Sequence, residues 1–329
     1  METAAGVLYG AVLFVRGYGK PAAEPMAMEK GKKAIFMKQV FTNGRKQELA
    51  KPVVLGILAG GLAIPGRALA ADLTVTTDQT GPVYAATGDG VELNNLTIGS
   101  VSVTPGPTIT GSAYGGMGTS GGSYSDTNTV TLNNGTVTEN LYGTYDTDAA
   151  TISTTTINAG TVQGNVYGSY SQNGTADYNH VYVGTDTANK GTISISGRVY
   201  GANTPGGTTF QNVVTINSGT VAGTVYGGAG QTATYNEVHV NGGSLQNGLY
   251  GGYSTAGDQV NHNIITLSGG TISGTIYGGY AGAGSSSDNT INLYSTNLTN
   301  ASLYGGNGSA PTNNTLNVYT VGNTVKNLA

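Results

Sequence analysis

The sequence predicts an all-β fold: a single right-handed parallel β-helix, or β-solenoid, of about eight coils, most of them 24–28 residues long. Three observations predict it. Tyrosine followed by glycine recurs at Tyr114, Tyr142, Tyr167, Tyr200, Tyr226, Tyr250, Tyr277 and Tyr304, at intervals of 28, 25, 33, 26, 24, 27 and 27 residues. Apolar residues alternate with polar ones ahead of each of these tyrosines. Glycine makes up 55 of 329 residues, and only 9% of residues are charged. Self-similarity at this period marks stacked repeats, and period-two alternation of β-branched residues marks half-buried strands.

The coil ending at Tyr226 serves as the reference. It opens with Asn212, fourteen residues before the tyrosine, a place also held by Asn128, Asn236 and Asn263. Val214 and Ile216 follow at alternate positions, separated by Thr215, as a strand with one buried face. Asn217-Ser-Gly219 then breaks the strand, since Asn and Gly tolerate positive φ at a turn. A second short strand, carrying Val221 and Val225 inward, runs to Tyr226, and Gly227-Gly228 is expected to end it. Neither strand can bury its apolar face alone. Stacking coils about 4.8 Å apart pairs each strand with its equivalents above and below, and sequential parallel crossovers are nearly always right-handed.

Two coils depart from the pattern. The Tyr304 coil fits with one extra residue, which brings Asn289, Ile291, Leu293 and Leu298 into register. The Tyr200 coil fits with residues 184–190 as an inserted loop.

Equivalent residues of successive coils should form ladders. The asparagines are expected to point inward and bond to their counterparts, as Asn ladders do in cross-β stacks. The eight tyrosines form a second structural ladder. Tyr145, Tyr170, Tyr253 and Tyr280, each three residues after an anchor tyrosine, should form a further aromatic column. That column is either structural or a surface for stacking sugar rings, to which an apolar ring with a polar tip is suited.

Charge divides the chain. Ten of the thirteen basic residues precede position 71, and the rest of the chain has three basic against thirteen acidic residues, a net of −10. Such a surface repels phosphate backbones and excludes nucleic acid as a partner. Cysteine is absent, so no disulfide framework exists.

Residues 53–64 are an uninterrupted apolar run, preceded by Lys30, Lys32, Lys33, Lys38, Arg45, Lys46 and Lys51 and followed by Ala68-Leu69-Ala70. A basic region, a short apolar core and Ala-x-Ala make residues 28–70 a secretory signal peptide, with cleavage between Ala70 and Ala71. Twelve apolar residues are too few for a bilayer-spanning helix, so the mature segment is not expected to span a membrane. Residues 1–27 read as an extension ahead of a start at Met28. The repeat domain spans 71–320, and the pattern fades over 321–329.

With a basic signal region followed by coils of the form Asn-x-Val-Thr-Ile-Asn-x-Gly-Thr-Val-x-Gly-x-Val-Tyr-Gly-Gly, the chain resembles the passenger region of Gram-negative autotransporter adhesins over residues 30–329. The resemblance implies a β-helix exported by the Sec machinery to the outer surface of a Gram-negative cell or the extracellular medium. It implies adhesion to host surfaces, matrix or glycan, or self-association. Members of that family carry a C-terminal membrane β-barrel, whose aromatic-girdled alternating strands are not found here. The sequence is therefore expected to be part of a longer product.

Chemistry is sparse. Gly116-x-Gly118-x-x-Gly121 matches a dinucleotide fingerprint, but no helix is expected after it to receive a pyrophosphate. His180, His239 and His262 fall in different coils without metal-ligand spacing. Asp146, Asp148, Asp177, Asp186, Asp258 and Asp288 read as solvated turn residues, with weak calcium binding as the alternative. No cofactor, metal or catalytic residue is expected. The alternative function is a secreted β-helix polysaccharide lyase or another carbohydrate-active enzyme. Such an enzyme needs charged residues clustered on one strand face, and no coil carries such a cluster.

Overall fold

A computed structural model of the chain describes residues 71–88, 93–102, 104–118, 125–184, 191–256, 259–319 and 327–328. The signal segment, the preceding extension, Ala70 and all of 321–329 except 327–328 lie outside these residues. The described residues contain strands and turns and no helix.

Every strand pairing is parallel, and each joins a segment to its counterpart one coil away. Ten strands form one sheet, from Asp72–Val75 through Val213–Ile216 to Thr315–Val318, so nine turns separate the first from the last. The remaining twenty strands form a second sheet that wraps the other faces. Register is residue for residue: Val214 pairs with Val238, Val238 with Ile265, and Ile265 with Ile291. The solenoid expected from the tyrosine period is thus the fold, with about one turn more than expected.

The core is a set of straight columns along the stack. Ile216, Val221 and Val225 are fully buried, as are their equivalents Val240, Leu245 and Leu249 in the next coil. Thr155 replaces valine in one column and satisfies its hydroxyl by donating to the Tyr167 carbonyl at 2.9 Å. Gly219, with φ of +92°, makes the turn after the first strand, and Gly135, Gly160, Gly243 and Gly270 do the same in their coils. Those left-handed dihedrals explain why glycine sits seven residues before the tyrosine.

The extra residue of the Tyr304 coil is absorbed as a bulge. Thr271 pairs with Asn297, but Ser273 pairs with Asn300. Leu298 remains buried. The insertion in the Tyr200 coil is likewise confined, because Ile193–Ile195 returns to pair with Gly160–Val162.

Two expectations need correction. The Gly-Gly pair does not end the strand: Val225–Thr234 runs straight through Gly227 and Gly228. Its backbone stays paired to the coils on both sides, so the glycines keep the extended conformation. Coils from Asp177 to Ser287 also have a further paired segment, either as a separate strand, Thr175–Asp177, Gln259–Asn261 or Ser285–Ser287, or as the far half of Val199–Phe210 and Val225–Thr234. These short polar segments carry no apolar period for a pattern to reveal.

The chain turns the corner before the ladder asparagines in a strained way. Leu93, Ile152, Tyr178, Gln211, Tyr235, His262, Asp288 and Asn313 all have φ between +51° and +58°. Each directly precedes a ladder residue. Left-handed conformation costs non-glycine residues on the order of 1 kcal/mol or more. The ladder bonds hold each corner in place.

Candidate functional site

The ladder of asparagines is the inner frame of the site. Asn94, Asn128, Asn179, Asn212, Asn236, Asn263 and Asn289 are fully buried. Where asparagine follows asparagine, the side-chain oxygen of the following rung accepts two bonds, one from the Nδ2 and one from the backbone N–H of the rung before it. For Asn179 and Asn212 these are 2.8 and 3.0 Å, and for Asn263 and Asn289 they are 2.9 and 3.0 Å. The second Nδ2 proton goes to a carbonyl, as from Asn212 to Ala176 at 2.8 Å. Every polar atom of such a rung is satisfied, which a buried amide requires. Asn128, Asn212, Asn236 and Asn263 occupy the inward positions their spacing implied. Asn314, which opens a further coil in the sequence with Leu316 and Val318, is the rung after Asn289; Asn94 and Asn179 were missed. Asn179 stands 21 residues before Tyr200 because the insertion lies between them. Ser153 takes one rung, donating to Asn179 Oδ1 at 2.9 Å. Ala71, on the far side of the expected cleavage bond, donates its backbone N–H to Asn94 at 2.9 Å.

Behind the ladder stands the tyrosine face. Tyr84, Tyr114, Tyr142, Tyr167, Tyr200, Tyr226, Tyr250, Tyr277 and Tyr304 form one unbroken stack, with centroids 4.7–5.2 Å apart. Tyr84 escapes the Tyr-Gly pattern because Ala85 follows it. The glycine after the other tyrosines has a steric cause. A Cβ on Gly201 would lie 2.3 Å from the Gly227 carbonyl oxygen and 3.1 Å from Asn212 Cβ. The central rings are buried, with Tyr142, Tyr167, Tyr200 and Tyr226 only 6–7% exposed. Desolvation pushes the Tyr167 and Tyr226 phenols up to about 12, and raises Tyr142 further. Asn140 and Asn165 donate to the hydroxyls of Tyr142 and Tyr167 at 3.0 and 3.1 Å.

The second aromatic column exists but is broken. Tyr145 stacks on Tyr170 at 5.1 Å, and Tyr253 on Tyr280 at 5.3 Å. Between the two pairs the same register is held by Asn203 and Ala229. Rings of this column meet the anchor rings edge-on, as for Tyr142 and Tyr145 at 5.5 Å and 86°. The herringbone follows from the coil rise. A step of about 4.8 Å exceeds the thickness of a ring, so stacked rings tilt to touch.

Arg198 is the one lysine or arginine among the described residues. It occupies the place held by Asn140 and Asn165 in earlier coils, and its Nη1 donates to the Tyr200 hydroxyl at 3.3 Å. That bond, with the nearby Tyr200 and Tyr226 hydroxyls, raises its pKa. The guanidinium has no carboxylate partner among the described residues, where the single ion pair joins His239 to Glu237 at 2.9 Å.

The aspartates are not uniformly solvated turns. Asp146 ends a strand at 2% exposure and accepts from the Asp148 N–H at 2.9 Å. Asp177 lies within Thr175–Asp177, and its Oδ1 is buried with no hydrogen-bond partner. Desolvation pushes its carboxyl up to about 6. Asp186 and Asp258 lie outside the described residues. Among the described residues no three His, Asp or Glu side chains converge as a metal site. His180 is partly buried, which lowers its pKa. His262 stacks on Tyr235 at 4.6 Å. Gly116 lies in the strand Ala113–Met117, and Gly121 lies outside the described residues.

No protein-family model, curated protein or solved structure matches the chain.

Proposed function

We propose that the chain is an exported, non-catalytic adhesive or self-associating surface module. The observation that carries this reading is the regular repetition of one surface. Nine anchor tyrosines, the central four of them buried, and the half-buried rings of the partial second column repeat equivalent groups at each turn. The outward residues of the strands are largely threonine, asparagine, serine and tyrosine. Each contact offered by such a surface is modest, and repetition converts modest contacts into avidity where they engage together. The partners that suit it are glycan, matrix, a host cell surface or a second copy. The net charge of −10 after position 70 disfavours nucleic acid. The export pattern in residues 28–70 supports a location outside the cytoplasm, and the resemblance to Gram-negative passengers supports the outer cell surface.

The test is display of the chain on a non-adherent bacterium with surface exposure verified. Attachment to epithelial cells or mucin, or mutual aggregation, is expected to rise. No gain in any of the three defeats the reading. Depolymerisation of a polysaccharide by the purified chain replaces it with the lyase alternative.

A further inference from the structure

The corner ahead of the asparagine ladder carries an exposed ridge of rings. Tyr178, Phe210, Tyr235 and His262 come from four consecutive coils, so the ridge spans three coil steps, about 14 Å. Each ring touches the next. Tyr178 meets Phe210 edge-on at 5.7 Å, Phe210 meets Tyr235 at 5.5 Å, and Tyr235 stacks on His262 at 4.6 Å. The ridge is open to solvent: Tyr178 is 47% and Tyr235 46% exposed, against 6–7% for the central anchor tyrosines. Burial therefore does not account for these two rings. Backbone preference opposes them, since both sit at φ of +58°, where Asn and Asp are at home and a bulky side chain is an outlier. The equivalent corners at Asp288 and Asn313 carry the favoured residues. Strain accepted at exposed rings points to a role for the surface they make.

Charge selects what covers the ridge. Asp177 directly precedes Tyr178 and pairs across the stack with Phe210. Glu237 lies two residues after Tyr235, with its side chain 41% exposed. Asp288 stands one coil step beyond His262. Carboxylates thus accompany the rings along their length, and neither Asp177 nor Asp288 joins an ion pair among the described residues. A second copy pressed against the ridge would set these carboxylates against their own kind, which is costly. An acidic glycan or an anionic lipid surface is repelled for the same reason. Four ring-bearing residues are also few beside the roughly 20–30 a side of a standard stable interface, so the occupant is short.

We infer that the ridge docks a short arginine-bearing segment of a partner protein. The inference rests on the adhesive reading and names the partner chemistry for it. A guanidinium stacks on a tyrosine face and also offers a planar donor fork to a carboxylate, so one residue type uses both features of the ridge. An extended segment rises about 3.3 Å per residue with alternate side chains on one face. The ridge therefore matches about four of its residues and two arginines.

The experiment titrates the purified full chain by calorimetry. The probes are a capped peptide alternating arginine and glycine, its lysine and glutamine counterparts, and cellotetraose as a neutral glycan. The arginine peptide is expected to bind, to weaken with added salt and to bind more tightly than the lysine peptide. The glutamine peptide and the glycan should not bind. Y178N/Y235N leaves the net charge unchanged and gives both corners the residue that Asn313 already supplies. It should keep the parent Tm or raise it, and bind the arginine peptide about tenfold more weakly. D288N should also weaken binding. D72N, which removes an equal charge from an exposed site four coil steps before the ridge, should not. The inference is overturned if the arginine peptide does not bind, or if the lysine, glutamine or glycan probe binds as tightly. It is overturned if Y178N/Y235N binds like the parent, or if D72N weakens binding as much as D288N does. Should Y178N/Y235N not fold, D288N against D72N decides. Dimerisation of the parent in sedimentation that Y178N/Y235N loses also overturns it, because a second copy then covers the ridge. Attachment by displayed cells is scored separately. If cells attach and no peptide binds, the ridge inference fails and the adhesive reading stands. If no cells attach, that reading falls, and the titration alone decides the ridge.

Discussion

Asn236 donates from Nδ2 to the Oδ1 of Asn263 at 3.0 Å, and the Asn236 backbone N–H donates to the same oxygen at 2.9 Å. One oxygen thus ties a side chain and a strained corner of one coil to the next. Asn236 Oδ1 serves Asn212 in the same way, at 2.9 and 3.1 Å. Asn236→Ala leaves two buried donors of the Asn212 rung unsatisfied, each costing about 1–3 kcal/mol. We expect a loss of roughly 3 kcal/mol or more, measured by denaturant unfolding. Asn236→Ser should lose less, since Ser153 already serves as a rung.

Gly201→Ala is expected to destabilise the chain by about 2–3 kcal/mol through overpacking, read as a lowered Tm. The added methyl meets the Gly227 carbonyl of the adjacent coil. The next position is alanine in this coil, Ala202, but a Cβ on its counterparts Gly228 and Gly252 would meet the ladder amides of Asn236 and Asn263 at 2.6 and 2.5 Å. Ala85 holds the glycine position in the first described coil, where its strand has one neighbour and room to shift.

Asp177 sets a pH dependence. Its folded carboxyl is raised from 3.8 to about 6 by desolvation. The folded state therefore binds the proton more tightly than the unfolded chain, and the stability it confers is full below about 3.8. That stability is lost as pH rises toward about 6. Asp177→Asn should remove this dependence, so its Tm advantage over the parent grows between pH 4 and pH 6 and then levels. Parallel melting curves across that range decide it.

Ile216→Asp buries a charge with no partner in a fully apolar column. It should cost several kcal/mol. Because stability in a stack is set by neighbouring interfaces, hydrogen exchange should rise in the coils of Ile216, Val183 and Val240 and change little near Leu316.

The legible parts of this molecule were those the repeat states many times. Ile216, Val221 and Tyr226 recur with the same polar neighbours, so their burial and register follow from periodicity. The inward asparagines were legible where spacing was intact and lost where it was not, as with Asn179 behind the insertion. The left-handed corners left no mark, because Leu93, Tyr178, Gln211 and Asp288 share no side-chain chemistry; the backbone is bent by the ladder residue that follows. The break in the second aromatic column was legible by counting, since the residues three after Tyr200 and Tyr226 are Asn203 and Ala229.

All of these statements depend on equivalent residues of successive coils being neighbours, and the absence of cysteine allows a direct test. Thr129 and Thr154 are 25 residues apart in sequence, face outward and pair in register. Parallel neighbours about 4.8 Å apart lie within the Cα range of a disulfide. Under mild oxidation, the double variant Thr129→Cys/Thr154→Cys should close an intramolecular disulfide nearly completely. Thr129→Cys/Thr156→Cys, displaced two residues along the strand, should not, since its Cα atoms lie more than about 7 Å apart. Crosslinking of the first pair alone is the result the solenoid predicts. Failure of that pair, or equal crosslinking of both, contradicts it.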